Sequence, residues 1–293
     1  MLEIRQLAPG EQSQILPLLG RCFPAYWEQI AARGRKMPFD ELSFAAFSGG
    51  TAAGHCGLIL YRVRDARGGT ALMGGVASVA VAPEWRGRGV AAQLCETLIR
   101  WAEAEPELVS LPLYTELFRV YEKSGWRRFD PPAAGFAEGI ASTLSWRRGA
   151  DLSTEEKAAV TALYAGMPDY PGKVIRGNGA AFHDWPRIFA EPEFRFALDG
   201  TQQYAIRVEG TLAEVGFVPG TPAAVRGRFI RSALGPDGAE MLLPPSVVSG
   251  TALTAGPART DPMHGERVMV LDLKGAEFHR ANPGQFFSLV DKF

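Results

Sequence analysis

Val76-Ala-Ser-Val-Ala-Val-Ala-Pro-Glu-Trp-Arg-Gly-Arg-Gly-Val-Ala-Ala-Gln-Leu94 runs from an apolar strand, through a turn rich in arginine and glycine, into a helix. Gly87 and Gly89 let the backbone bend without a Cβ. Successive amide N–H groups near Arg88 to Ala92 then converge at the positive end of the helix dipole, which makes the turn a cradle for an anion such as a pyrophosphate. A plain strand-to-helix turn that needs glycine only for its geometry has the same residues, and the stretch alone leaves both readings open. Two other phosphate motifs are excluded. There is no Gly-x4-Gly-Lys-Ser/Thr, and no Gly-x-Gly-x-x-Gly with a later acidic partner for a ribose.

Working outward, Val90, Leu94, Leu98 and Trp101 fall at i, i+4, i+8 and i+11, with Glu96 and Arg100 between them, which predicts an amphipathic helix. Upstream, residues 11 to 35 read as helical. Ser43 to Phe47, a Ser-Gly-Gly turn, Thr51 to Arg64 and Ala71 to Val81 read as an antiparallel meander. Downstream come a strand, Leu108 to Leu113, and a helix from about Thr115 to Lys123. This is an α/β (α+β) plan around a mixed, mostly antiparallel sheet flanked by helices. At 293 residues the chain has room for two domains. Residues 147–152 are polar and turn-prone, and Ser153 with Glu156 forms a capping box for a new helix, so the division expected is 1–146, a linker at 147–152, and 153–293. The second part starts similarly, with helical residues up to about Ala190 and strands at Phe194–Leu198, Gln203–Glu209 and Leu212–Val218. Val225-Arg-Gly-Arg-Phe-Ile-Arg-Ser-Ala-Leu234 repeats four identities of Trp85–Leu94 at a spacing of 140 residues. A ten-residue match also arises by chance; if it is a true repeat, the chain is a tandem duplication.

Lys plus Arg number 31 and Asp plus Glu 32, so there is no basic excess for nucleic acid or an anionic membrane, and neither partner is expected. Cys22, Cys56 and Cys95 form no Cys-x-x-Cys pair, and His55, His183, His264 and His279 are scattered, so no metal is expected. The opening MLEIRQL has charges where an export signal needs an apolar run, and no stretch is long enough to span a bilayer. A cytoplasmic protein is the expectation.

Two linked motifs, Arg86-x-x-Gly89-x-Ala91 after the apolar strand and Tyr121-x-x-x-Gly125-Trp126 some thirty residues later, resemble the signature of the GNAT superfamily of acyl-CoA-dependent N-acyltransferases. The resemblance covers about residues 1 to 146, making that part the catalytic domain. It implies acetyl-CoA as co-substrate. The strand backbone at Val79, Ala80 and Val81 would pair with the pantetheine arm. The turn at Arg86, Gly87, Arg88, Gly89, Val90, Ala91 and Ala92 would hold the pyrophosphate, and Tyr121 would protonate the departing thiolate. The chemistry independently needs a neutral amine, donors for an oxyanion and an acid for the leaving group. Two departures stand out. The strand Val76–Ala82 lacks the glutamate that many relatives use as base, and Tyr114 occupies the place of a frequent asparagine. Glu28, Glu41 or Glu116, or water relayed through Ser78 or backbone carbonyls, would have to take that place.

Leu163 to Arg176 and Phe182-His-Asp-Trp185 resemble the second domain of the enhanced-intracellular-survival type of acetyltransferase, which joins two GNAT-like domains. That resemblance implies a tandem arrangement with a degenerate second half that walls the acceptor cleft, and a terminal carboxylate, here Phe293, as base. At a spacing of 140, Phe229 and Arg231 would crowd the second copy's cradle, so it should bind no CoA. The expectation is an N-acetyltransferase acting on a primary amine, more a small molecule than a protein, as a monomer or homodimer. The alternatives are a non-catalytic acyl-CoA-binding or scaffold protein and a protein-interaction module.

Overall fold

The computed structural model describes residues 2–24, 28, 42–129, 135–179, 181, 183–253, 256–257, 266–273 and 278–281. The first sheet begins with β1 (Glu3–Gln6), β2 (Leu42–Ser48), β3 (Thr51–Arg64), β4 (Thr70–Val81) and β5 (Leu108–Thr115), laid side by side in that order, with β6 (Arg127–Phe129) further out. Gly49 and Gly50, with φ of 56° and 78°, make the two-residue turn that joins β2 to β3, a geometry whose twist matches the flanking strands. β3 and β4 are buried over most of their length because helices cover both faces. On one face α1 (Leu16–Cys22) sets Leu18 and Leu19 among Phe47, Ala52 and Ala80. On the other, α2 (Val90–Ala104) buries Val90, Leu94, Leu98 and Ala102 over Phe44, Cys56 and Leu58. A Cβ at Gly54 would lie 2.8 Å from both Leu94 and Val90, so glycine there lets the helix sit directly on β3. After β5 comes the short α3 (Phe118–Glu122).

The second sheet contains β7 (Gly135–Ala137), β8 (Arg147–Arg148), β9 (Phe194–Asp199), β10 (Gln203–Val208), β11 (Thr211–Phe217), β12 (Ala239–Met241) and β13 (Gly256–Pro257), in the order β13-β7-β12-β11-β10-β9-β8. α4 (Thr154–Gly166) starts at the expected capping box: Ser153 Oγ accepts from the Glu156 amide and the Glu156 carboxylate accepts from the Ser153 amide. α5 (Trp185–Ala190) and α6 (Ala223–Leu234) follow. Beneath them lies a buried ion pair, Arg176 with Glu214 at 2.7 Å, to which the Tyr204 hydroxyl donates at 2.7 Å. The Arg176 guanidinium stacks 4.1 Å from the Tyr164 ring and 4.8 Å from Trp185, so the buried charge is paired on its edge and covered on its faces.

β14 (Arg267–Asp272) returns to the first sheet, between β5 and β6 and antiparallel to both, with Leu113 opposite Met269 and Arg127 opposite Val270. Conversely β7, from the first half of the chain, lies between β12 and β13. The exchange is reciprocal. The sheets therefore do not divide at 147–152: residues 1–146 lack a strand of their own sheet and lend β7 to the other, and β8 inside the expected linker is an edge strand on β9. The halves also join where β3 overhangs β2, through a bridge between Val63 and Val174 flanked by Arg64 N to Lys173 O at 2.9 Å and Ile175 N to Arg62 O at 2.8 Å.

Both sheets share one plan: a three-stranded antiparallel meander, a helix, a parallel strand, and a strand lent by the other half. The ten-residue repeat is not its register. Arg86-Gly87-Arg88-Gly89 is the turn before α2, whereas Arg226-Gly227-Arg228-Phe229 lies inside α6, because only residues 218–222 separate β11 from α6 while 82–89 separate β4 from α2. A Cβ at Gly227 would come 3.2 Å from Thr251, so this glycine serves helix packing, and Phe229 is core against Phe217. The helical expectation for 11–35 is met at Glu11–Gln14, a 3-10 turn, and at α1; residues 25–27 and 29–35 lie outside the described residues. Between α4 and α5 the chain is extended and looped, where helix was expected to continue.

Met269 is fully buried in the first sheet's core although it comes late in the chain. Met269→Ala should cost about 2–5 kcal/mol and lower one shared unfolding transition in calorimetry. Two transitions, with only the one assigned to residues 153–293 shifted, would contradict the exchanged architecture.

Candidate active site

β4 runs parallel to β5 through Leu72↔Leu108, Met73↔Ser110 and Val76↔Leu113, and the ladder stops there. Its other edge stays on β3 as far as Val81↔Gly54. Between Ala77↔Gly57 and Ala80↔His55 the register slips, so Ser78 and Val79 together face Cys56. This is a β-bulge, and Ser78 takes φ 52°, in the left-handed region that costs a non-glycine residue about 1–3 kcal/mol. The bulge bends the end of β4 away from β5.

His55 lies fully buried behind it. Its Nδ1 is 2.8 Å from the Ser78 carbonyl oxygen and its Nε2 is 3.2 Å from Ser43 Oγ. Burial pushes the imidazole pKa down to about 4, so the ring is neutral at pH 7. A carbonyl can only accept, which assigns the proton to Nδ1 and leaves Nε2 to accept from the Ser43 hydroxyl.

Past β4, a 3-10 turn at Pro83–Trp85 leads through Gly87 (φ 74°) to Gly89 (φ 76°), the N-cap of α2. No side chain caps the helix, and its first backbone bond is Gln93 N to Gly89 O, so the amides of Val90, Ala91 and Ala92 precede the ladder. A Cβ on Gly87 would meet nothing within 4 Å, and on Gly89 only Gln93 Nε2 at 3.9 Å. These glycines are needed for backbone direction, with open space beside them. Arg86 Nε donates to Val81 O at 3.2 Å and Arg88 stacks on Trp85 at 5.0 Å, which braces the turn on β4.

A cleft of about 780 Å³ opens between this turn and α3. Val79, Ala80, Val81, Arg86 and Gly87 line it, as do Gly89, Val90, Ala91 and Ala92; Arg88 does not. Tyr121 lines the facing wall with Leu117, Arg119, Val120 and Lys123. Gly125, at φ 96°, turns the chain so that the Trp126 amide returns to Tyr121 O and the Trp126 ring meets Tyr121 edge-on at 6.0 Å. That is the physical content of the Tyr-x-x-x-Gly-Trp spacing. Trp126 Nε1 donates to Leu111 O at 2.7 Å and anchors the unit to β5. Burial, with Cys56 and Cys95 nearby, holds the Tyr121 phenol well above the usual range and keeps it protonated. Among the described residues, the charged side chains that line the cleft are cationic, Arg86, Arg119 and Lys123.

The base candidates are not gathered there. Glu28 and Glu116 are exposed and do not line the cleft. Glu41 and Phe293 lie outside the described residues. Tyr114 sits on β5 opposite Val268, half-buried against the second sheet's core, so it marks the seam between the halves. Sequence reasoning missed His55, whose one signal was a polar ring in a strand otherwise apolar from Ala52 to Leu60, and the cysteine pair behind Tyr121. Among the described residues no cluster could hold a metal ion, and no helix is long and apolar enough to cross a membrane.

A parallel pair that opens at its carboxyl end, with a glycine turn and an uncapped helix at the opening, makes an α/β fold with a site suited to an extended, anionic ligand. Residues 3–129 match the family model described as acetyltransferase (GNAT) domain, and this part of the chain is a GNAT acetyltransferase domain. Among solved structures the chain is similar to a GCN5-related N-acetyltransferase from Anabaena variabilis (15% identity, TM-score 0.60, 92% of this chain and 72% of that one). It is also similar to one from Kribbella flavida (14%, 0.57, 92% and 70%) and to Eis1 from Mycobacterium abscessus (14%, 0.55, 93% and 72%). These likenesses span both sheets, as a tandem arrangement requires. No curated protein matches the sequence.

Two outcomes follow from this geometry. Gly87→Ala and Gly89→Ala should each cost about 1–2 kcal/mol in urea unfolding, from positive φ alone; an unchanged midpoint would mean the turn relaxes. For His55 the folded pKa, about 4, lies below the ordinary 6.5. The unfolded chain thus binds the extra proton, and stability present above pH 6.5 is lost as pH falls toward 4, on the order of 3 kcal/mol. Urea titrations at pH 7 and pH 5 should show this component in the wild type and not in His55→Asn.

Proposed function

We propose that this protein is an acetyl-CoA-dependent N-acetyltransferase that acetylates a primary amine by direct transfer. The observation that carries the reading is the meeting, in one cleft, of an unpaired strand edge, uncapped helix amides and a protonated tyrosine. The edge of β4 beyond Val76, no longer laddered to β5, offers backbone groups around Val79 to the amides of a pantetheine arm, while Val81 O is taken by Arg86 Nε. The turn from Arg86 to Ala92 offers N–H donors and a positive dipole to a pyrophosphate, and Arg86, Arg119 and Lys123 add charge of the right sign for a polyanion. The thioester supplies the activated acetyl group. Tyr121, neutral because its phenolate is disfavoured, holds a proton for the departing thiolate. Exposed Leu117 and Val120 give the mouth of the cleft an apolar rim, which suits a small amine. Among the described residues no carboxylate lines the cleft, and in this reading the amine loses its proton through water relayed past Ser78.

That same lack of a carboxylate among the described lining residues favours the second reading, a protein that binds acyl-CoA without transferring the acyl group. Thiol release from acetyl-CoA against a panel of amines separates the two. Amine-dependent release that falls about 10²–10⁴-fold in Tyr121→Phe, with CoA affinity by calorimetry little changed, is the expected result. CoA binding without release for any amine would favour the second reading. Equal loss of binding and turnover in the variant would reduce Tyr121 to a packing role.

A further inference from the structure

The bulge at Ser78 is unfavourable in isolation. Serine in the left-handed region pays a backbone penalty, and the β3 ladder would be more regular if β4 ran straight on through Ala77 and Ser78. A straight β4 would continue beside β5 past Val76 and Leu113, closing the gap at which the cleft begins. It would also shift Val79 to Val81 by one position, and a one-residue slip turns every side chain to the opposite face. Some interaction must select the bulged register.

The only polar side chain buried at the bulge among the described residues of β3 is His55, directly opposite Ala80, and it reaches the one carbonyl that the left-handed turn displaces. Its second nitrogen is tied to Ser43 on β2, so a chain of hydrogen bonds spans β2, β3 and β4. Ser43 is itself fixed, because its carbonyl accepts from the Leu7 amide at 2.8 Å beyond β1. We propose that His55 is a positioning residue of the acyl-donor cleft, its Nδ1–H holding the Ser78 carbonyl so that β4 leaves β5 and its edge stays free. The proposal rests on the functional reading for its consequence in CoA binding, and on geometry alone for the bulge itself.

The test separates these two parts. His55→Leu keeps apolar volume and removes the donor; His55→Asn keeps a donor near the place of Nδ1. In the unliganded protein, amide hydrogen exchange at residues 79–81 should slow about tenfold in His55→Leu, as β4 closes on β5 and its edge amides gain a hydrogen-bond partner, with β10 and β11 unchanged. CoA affinity and the KM for acetyl-CoA should weaken by a similar factor while kcat at saturation is kept, and His55→Asn should recover most of both. Ser43→Ala, which leaves the Nδ1 bond in place, should shift exchange at the same residues in the same direction by less, and it serves as the test if His55→Leu does not fold. Wild-type exchange at 79–81 in His55→Leu would overturn the proposal, as would an equal rise in exchange across the whole first sheet. A wild type that does not bind CoA would sink the functional reading, while exchange at 79–81 would still decide the role of His55.

Discussion

Every backbone N–H and C=O must find a partner or water, and a strand that parts from its neighbour leaves a row of them uncommitted. At Val76 and Leu113 β4 and β5 part, and much of the first half of the molecule is organised around the opening. β3 continues to hold one edge of β4 to its end, so the strand bends without fraying. The bulge at Ser78 sets the direction, α2 presents its first amides at the far end, and α3 brings Tyr121 to the facing wall. None of these parts makes a site alone. Together they place donors, a strand edge and a proton around one volume.

The second constraint is the strand exchange. Once β5 has lost β4 along part of one edge, its other edge depends on β14, which comes from the opposite end of the chain. The second sheet depends in the same way on β7. Neither half completes its own sheet, so each depends on a strand of the other, and the seam at Tyr114 is held by main-chain ladders as well as by side-chain contact. Among the described residues the cleft is lined by positions 22–123 alone, so the second half, expected to wall it, bears on it through the shared sheets.

The second sheet repeats the plan with a different geometry at the corresponding turn. Its loop from β11 to α6 is short, contains Pro219 and Pro222, and bounds a pocket of only about 170 Å³, where the first sheet has a glycine turn and a cleft of about 780 Å³. Proline at the N-cap removes a donor where the first sheet keeps its amides. The buried Arg176 and Glu214 pair and its aromatic cover read as a structural core that stiffens this half.

Much of this was legible from residues alone. Alternating and 3.6-residue periodicities marked β2 to β5, β9 to β11 and α2 with small errors at the ends, because local burial patterns are written into neighbouring residues. The Ser153 capping box was legible for the same reason, and the glycine turn and the Tyr121 to Trp126 spacing were legible as motifs, of which the turn and Tyr121 line one cleft. The apparent repeat at Val225 misled, since four identities cannot tell a turn from a helix interior when loop lengths differ. The strand exchange was invisible: β7 is three residues long, and which sheet a strand joins is decided by contacts more than a hundred residues away. The role of His55 was equally hidden, because a histidine in an apolar strand acquires its tautomer and its partners only when β2 and β4 close around it. Sequence determined the elements and the turn chemistry, which depend on near neighbours; the tertiary structure alone decided which strands complete each sheet and where β4 opens, since both depend on hydrogen bonds between distant residues.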